Sequence, residues 1–452
     1  MSCFSVIAGS SCEERLSDTK SESIARTRHV PNVALRDAGV LGDAAAGGFS
    51  GTGGAPLPDA GRGPAFAGDH GVPTQASAGA GPITAAGAGP ITAAGAGAGR
   101  SGEAGSYVDA GATAFLDAGN DIPATQQHVA RAILVSVDGL GGKYLEERFA
   151  KGDLPGFTEL RRTGSSTLNA RADYDFTITL PNHTSMLTGR PVARDPDLPA
   201  NVHHGWTING IVDATYTLHN SGNPALAYVA SVFDITHDRG MKTCMYAGKL
   251  KFAVYSNSYD ATNGAPDTVG VDNGRNKIDR VVLLEGNTEQ LISTAEADIA
   301  GGSCDFAFIH IADLDTPLGH GLGWGSEAWS EGLARVDAWI ARLVKFTSKK
   351  DPGTAAALVV TADHGGQGSS HGDSSEIWNY QIPFFAVGPG YVPNTDLYSI
   401  ASSKRRDPGL VRPRYSVTLQ PVRNADAANV LLAMLGLPPV PGSYMRDLLG
   451  PQ

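Results

Sequence analysis

The chain has 452 residues, 41% of them hydrophobic, and a formal net charge of −11, enough for one large or two medium domains. Its 57 glycines and 27 prolines are more than a globular chain needs, so a low-complexity segment must be averaged in. The acidic balance lacks the basic stripe that phosphate backbones and anionic lipids require, which excludes nucleic-acid scaffolding and polybasic anchoring.

The opening residues MSCFSVIAGSSCEER carry neither the basic n-region nor the long apolar core of a secretion signal. The destination of the chain stays open, with export or envelope association one alternative. Residues 39–119 hold 22 of the 57 glycines, and the unit GAGPITAA occurs at 79–86 and again at 87–94. Such a segment buries too little apolar surface to offset its chain entropy, so residues 1–125 are predicted to form a disordered tether and residues 126–452 the catalytic domain. Cys3, Cys12, Cys244 and Cys304 are too few and too scattered for a disulfide framework or a Cys-rich zinc site. No window reaches the roughly 20 apolar residues of a membrane helix.

From Ala130 the pattern changes. ARAILVSVDG is a β-branched run ending in Asp-Gly, and further buried strands are predicted at 241–249, 304–313, 355–365 and 382–390. Helical periodicity is clearest over 326–346. Strands alternating with helices predict an α/β fold, a mostly parallel sheet covered by helices on both faces. Sites in such folds lie at the carboxyl ends of strands. That rule singles out Asp138, the loop from Asp313 to His320, and Asp363 with His364.

Carboxylate oxygens with imidazole nitrogens and no thiolates suit an open catalytic zinc site, or another divalent ion. Two neighbouring ligands, Asp363 and His364, reach one ion only if the backbone turns sharply, which Gly365-Gly366 is expected to permit. In TITLPNHTSMLTGR, residues 177–190, a helix is predicted to begin at Pro181. Thr179 then sits near a helix N-terminus, where a divalent ion and the helix dipole both favour the hydroxyl's anion.

VSVDG, TLPNHTSMLTGR, HGWTING, an Asp-x-x-x-Gly-His segment and TADHGG occur in this order over some 230 residues. Together they resemble the nucleotide pyrophosphatase/phosphodiesterase branch of the alkaline phosphatase superfamily, over about residues 130–450. The resemblance implies an alkaline-phosphatase-like fold, two divalent metal ions, with zinc the expected one, and hydrolysis of small phosphate esters. It makes Thr179 the metal-bound nucleophile. Asp138, Thr179, Asp363 and His364 are implied to hold one ion, and Asp315, His320 and a further histidine the other. No histidine follows His371, so that residue takes the remaining place. Asp315-Thr-Pro-Leu-Gly-His320 is one residue longer than the common spacing, which keeps Asp313 as a rival to Asp315. Asn209, five residues after His204, matches the family's asparagine amide on the phosphoryl oxygen. A diester carries one negative charge, so a neutral amide and two ions suffice without an arginine clamp.

The implied reaction is cleavage of phosphodiester or pyrophosphate bonds of nucleotide-like molecules through a phospho-threonine. The alternatives are a phosphomonoesterase or phosphonate hydrolase of the same superfamily, and a catalytically silent surface or binding protein. A sulfatase fits poorly, because its nucleophile needs a C-x-P-x-R context. Oligomeric state is open. The other notable residues take plain readings: His183 as structural, His203 and His204 as a solvated loop pair, His310 as a hydrogen-bonded core histidine, the tryptophans as packing, and Lys249 with Lys251 as a surface pair.

Overall fold

The computed structural model describes residues 128–270, 274–348, 353–446 and 448–449. The predicted tether and the GAGPITAA repeats lie outside the described residues. Among those described, eight strands form one mixed sheet: β1 Arg131–Val137, β2 Ser165–Arg171, β3 Thr243–Ala247, β4 Arg280–Leu283, β5 Phe306–Ile311, β6 Ala356–Thr361, β7 Gln381–Val387 and β8 Thr395–Asp396. Helices of eight or more residues are α1 Gly142–Phe149, α2 Pro155–Thr163, α3 Thr179–Thr188, α4 Thr288–Gly301, α5 Glu327–Leu343 and α6 Ala427–Met434.

The strand order is β4-β3-β5-β1-β6-β7-β2-β8. β1 lies between β5 and β6 in parallel register, Val135 opposite Ile309 on one side and Val360 on the other. The residues of β5 and β6 are buried without exception, and β1 is buried from Ala132 onward. That explains their continuous apolar runs: a parallel strand covered on both faces has no side to spare for polar residues. Five of the strands match the predicted segments. β7 departs in direction, pairing antiparallel with both β6 and β2. β2, with sequence SSTLNAR, escaped notice because it lacks an apolar run.

Helix α5 fills most of the predicted 326–346 segment and is capped by Ser326, whose side chain accepts from the Trp329 N–H. Its buried stripe is Trp329, Leu333, Val336, Ile340 and Leu343, at the 3- and 4-residue spacing of a core-facing helix. From the same face Asp337 accepts the Gly156 and Phe157 N–H groups at 2.9 and 2.8 Å. A carboxylate thus caps the first turn of α2, where orphan donors and the dipole both favour it.

Helix α3 begins at Thr179, two residues earlier than Pro181 would suggest. Pro181 is therefore in the first turn, where its missing N–H forfeits no intrahelical bond. All ten residues of α3 are buried. Cys244 and Cys304 form a disulfide, joining β3 to the segment that leads into β5, a pairing that four scattered cysteines did not reveal.

Candidate metal centre

The sheet order explains why distant motifs meet. β3, β5, β1 and β6 are consecutive and parallel, so the residues after their carboxyl ends emerge side by side: Lys249 after β3, Asp315 after β5, Asp138 after β1, Asp363 and His364 after β6. Gly139 follows Asp138 at φ +75°, a conformation that costs an L side chain dearly, and its N–H turns to Asp363 Oδ1 at 3.1 Å.

The three aspartates share one pattern. Asp363 Oδ1 accepts from the Gly139 and His364 N–H groups, and Asp363 Oδ2 has no hydrogen-bond partner. Asp138 Oδ2 accepts from Lys249 at 2.6 Å and from His310 at 3.0 Å, while Asp138 Oδ1 has none. Asp315 Oδ2 accepts from Lys249 at 2.6 Å and from the Thr316 hydroxyl at 3.0 Å, and again Asp315 Oδ1 has none. Each buried acid therefore has one satisfied oxygen and one free one. The imidazoles are arranged alike: Nδ1 of His364 faces the Gly365 carbonyl, that of His371 the Thr177 carbonyl, and that of His320 the Ser369 carbonyl. A ring that donates through Nδ1 offers its Nε2 lone pair inward, the orientation a metal ligand needs.

The inward-facing atoms converge, and His320 Nε2 and His371 Nε2 lie 3.0 Å from each other. His364 Nε2 lies 3.2 Å from Asp363 Oδ2 and 3.4 Å from Asp138 Oδ1. Asp315 Oδ1 is 3.3 Å from His320 Nε2 and 3.5 Å from His371 Nε2. Donors held about 2.0 Å from a tetrahedral ion stand roughly 3.3 Å apart, so these separations fit. Atoms able to hold a metal ion fall into two groups, each within 4.8 Å: Asp138, Asp363 and His364, and Asp315, His364 and His371. His364 is common to both, and His320 adjoins the second. Asp313 is turned away, its Oδ2 taken by the Thr288 hydroxyl at the start of α4.

Burial drives three buried imidazoles toward the neutral form: it depresses His364, assisted by the charge of His371, to about 3, and it lowers His371 and His310 as well. Asp363 is pushed well above the carboxylate range by burial and then by the charge of Asp138. Burial pushes Asp138 the same way, yet the Lys249 ammonium and the His310 hydrogen bond hold it below its ordinary value.

A cleft of about 340 Å³ opens over this cluster, lined by Thr179, Asn209, Lys249, Lys251, Asp315 and His371 among others. Asn209 Oδ1 accepts the Leu180 N–H at 2.9 Å and the Lys251 ammonium at 3.1 Å. With the oxygen doubly held, the amide nitrogen is left as the donor. Lys249 and Lys251 are therefore not the surface pair expected: Lys249 is 8% exposed and both line the cleft. The strand-end rule that found Asp138 applies equally to Lys249, two residues past β3.

Other expectations divide. His310 is a buried core histidine, and it also bonds Asp138. His183 is buried between the Thr179 carbonyl and the Ser136 hydroxyl, both at 2.8 Å. His204 is not solvated: fully buried, it pairs with the Ser185 hydroxyl and accepts the Trp206 N–H. Gly365 and Gly366 serve close approach rather than an unusual turn, since a Cβ there would meet the Trp378 carbonyl at 2.1 Å and the Trp324 ring at 2.2 Å. Among the described residues no helix is long and apolar enough to cross a membrane.

The family described as type I phosphodiesterase/nucleotide pyrophosphatase matches residues 132–384, more than half of the chain. Similar solved structures include murine ectonucleotide pyrophosphatase/phosphodiesterase 5, as an inactive variant in complex with AMP, at 14% identity over 69% of this chain and 96% of that one with a TM-score of 0.45. A protein of the alkaline phosphatase superfamily from Vibrio parahaemolyticus has 14% identity over 72% and 71% of the two chains, with a TM-score of 0.44. Phosphonoacetate hydrolase from Sinorhizobium meliloti, in complex with phosphonoacetate, has 19% identity over 53% and 57%, with a TM-score of 0.35. No curated protein gives a significant sequence match.

Proposed function

The chain belongs to the type I phosphodiesterase/nucleotide pyrophosphatase family, and from that premise we propose a two-ion phosphodiesterase or pyrophosphatase with Thr179 as nucleophile. Its catalytic domain is taken as residues 126–452. One observation carries the reading: three buried aspartates each keep one oxygen without a partner, aimed at imidazole Nε2 atoms 3.2–3.5 Å away. Lys249 meets one oxygen each of Asp138 and Asp315, and three buried oxygens left over are too costly without further cationic partners.

Asp138, Asp363 and His364 would hold one ion with Thr179, and Asp315, His320 and His371 the other, zinc being the divalent ion that best suits this donor set. The ions would supply Lewis acidity toward the hydroxyl and the phosphoryl oxygens. Thr179 sits at the first position of α3, 1% exposed, on the wall of the cleft. Its Oγ1 forms a bond to phosphorus as the bond to the leaving oxygen breaks, and that oxygen departs with a proton. Water then adds to phosphorus, the Thr179 ester bond breaks, and the hydroxyl regains its proton. The Asn209 amide N–H donates to a phosphoryl oxygen as charge builds on it.

Lys251 favours a particular subset of substrates. Its ammonium beside Asn209 adds a positive charge that a simple diester monoanion does not require. Pyrophosphate bonds and the phosphomonoester or phosphonate alternative offer a second negative charge to meet it. The Cys244–Cys304 disulfide suits an oxidising compartment and so favours export.

The test is turnover of a chromogenic phosphodiester, the matching monoester and a dinucleoside pyrophosphate by zinc-loaded protein, with zinc per chain measured alongside. Thr179→Ala is expected to abolish turnover and retain most of the zinc. Activity surviving that change would remove Thr179 from the mechanism. An absence of both metal and turnover in the unsubstituted chain would favour the silent binding protein.

A further inference from the structure

Lys249 has no place in the reaction described above, yet it is the best-placed charge in the cluster. Its Nζ lies 2.6 Å from Asp138 Oδ2 and 2.6 Å from Asp315 Oδ2, with its side chain 11% exposed. These two aspartates belong to different ligand groups, so a single ammonium ties one half of the centre to the other. In both aspartates the oxygen that Lys249 holds is Oδ2, and the oxygen without a partner is Oδ1. The remaining contacts reinforce that choice: His310 donates to Asp138 Oδ2, and its Nδ1 accepts the Gly248 N–H at 3.3 Å, which leaves its proton on Nε2. Thr316 donates to Asp315 Oδ2.

We infer that Lys249 is a positioning residue of the metal centre, a fixed internal counterion that sets which oxygen of Asp138 and of Asp315 faces the ions and that stabilises the protein when it holds none. The inference rests on the two-ion reading. Its energetic content follows from Coulomb's law. An ammonium 2.6 Å from two carboxylates offsets far more charge when they stand alone than when two divalent ions have already neutralised them. Lys249 must therefore stabilise the metal-free protein more than the zinc-loaded one. By linkage, the same charge must weaken zinc binding. The folded state then survives the time between synthesis and metal loading, and zinc affinity is reduced in exchange.

The experiment compares the unsubstituted chain with Lys249→Met, which keeps the apolar stem, and Lys249→Gln, which keeps a hydrogen-bond donor without the charge. Each is melted after chelation and again in excess zinc, and zinc affinity is read by competition with a chromophoric chelator. In both variants the metal-free midpoint is expected to fall by more than the zinc-loaded midpoint, and zinc is expected to bind about tenfold tighter or more, as removal of a repelling charge close to the ions requires. A metal-free Met variant that unfolds outright and folds on adding zinc is the extreme of the same result. If it does not fold even with zinc, the Gln variant decides.

Equal falls in both states with unchanged zinc affinity would reduce Lys249 to packing and overturn the inference. So would unchanged melting and zinc affinity with a raised KM, which would make it a substrate contact, or a Gln variant that matches the unsubstituted chain, which would make the charge irrelevant. Failure of the unsubstituted chain to bind zinc at all would instead sink the two-ion reading, and this inference with it.

Discussion

Helix α3 touches two sets of buried acids that are treated in opposite ways. At its first turn Thr179 lines the cleft with Asp315, and His183, one turn on, lies 3.6 Å from Asp363 Oδ2; Asp138, Asp315 and Asp363 each have an oxygen that no hydrogen bond reaches. Three residues past Thr179, Asn182 accepts the Asp173 N–H at 2.9 Å, and Asp173 is as deeply buried as they are. Asp173 has every need met: Oδ1 takes the Asp175 and Phe176 N–H groups, and Oδ2 takes the Val192 N–H and the Tyr415 hydroxyl, at 2.9–3.2 Å. A buried carboxylate with both oxygens bonded is part of the scaffold. One with a bonded oxygen and a free one is built for something that arrives later. Burial alone does not separate the two cases; the state of the second oxygen does.

The sharpest way to break this contrast is to neutralise one acid of each kind. Asp363→Asn is expected to lose zinc and at least about a thousandfold of turnover, since an ion's contribution of several kcal/mol goes with it. Asp173→Asn should keep both zinc and kcat. Equal zinc loss in the two would dissolve the distinction. Next in size is chelation. At free zinc 100-fold above its dissociation constant, binding stabilises by about 2.7 kcal/mol per site, which in a domain of this size is about 4 °C in midpoint for one site and about 8 °C for two. Stripping the metal should therefore lower the midpoint by that amount in the parent and equally in Asp173→Asn, and far less in Asp363→Asn.

A smaller effect separates the bonded set from the rest of the core. Asp173→Asn leaves an amide NH2 facing backbone donors and should reduce unfolding stability by about 1–3 kcal/mol, as measured by denaturant titration in excess zinc. A neutral outcome would mean that the Asp173 bonds add nothing that Asn cannot replace.

Much of the open set is legible in the sequence, because strand ends announce themselves. Asp138, Asp315, Asp363 and His364 each follow an apolar run, and parallel strands leave their carboxyl ends on one edge. The neighbours β5, β1 and β6 then do the rest. The bonded set was opaque for the opposite reason. Asp173 and His204 sit in segments without periodicity, and their partners Val192, Tyr415 and Trp206 are fixed by loop paths that no local pattern encodes. Lys249 was misjudged because a Lys-Leu-Lys triplet looks solvated, although it stands two residues beyond β3. The reversed direction of β7 and the Cys244–Cys304 bridge depend on sheet register, a property of pairs of segments.

His204 gives the finest test, because it extends the contrast from carboxylates to imidazoles. Burial, and then the charges of His203 and Arg190, depress it to about 3, while Ser185 and Trp206 occupy both ring nitrogens. Its folded-state value is thus below the unfolded value of about 6.5. Between those limits the unfolded chain binds the extra proton, so stability is complete above pH 6.5 and declines as pH falls toward 3, by at most about 1.4 kcal/mol per pH unit. His204→Gln, which keeps a donor and an acceptor but does not titrate, should lose about 1–2 kcal/mol less than the parent between pH 7 and pH 5, read as the difference in denaturation midpoints with zinc in excess. Every group other than residue 204 is common to both proteins, so its share cancels in that difference. Parallel pH profiles would mean that His204 accepts its proton without strain, and that only the acids follow the rule of the second oxygen.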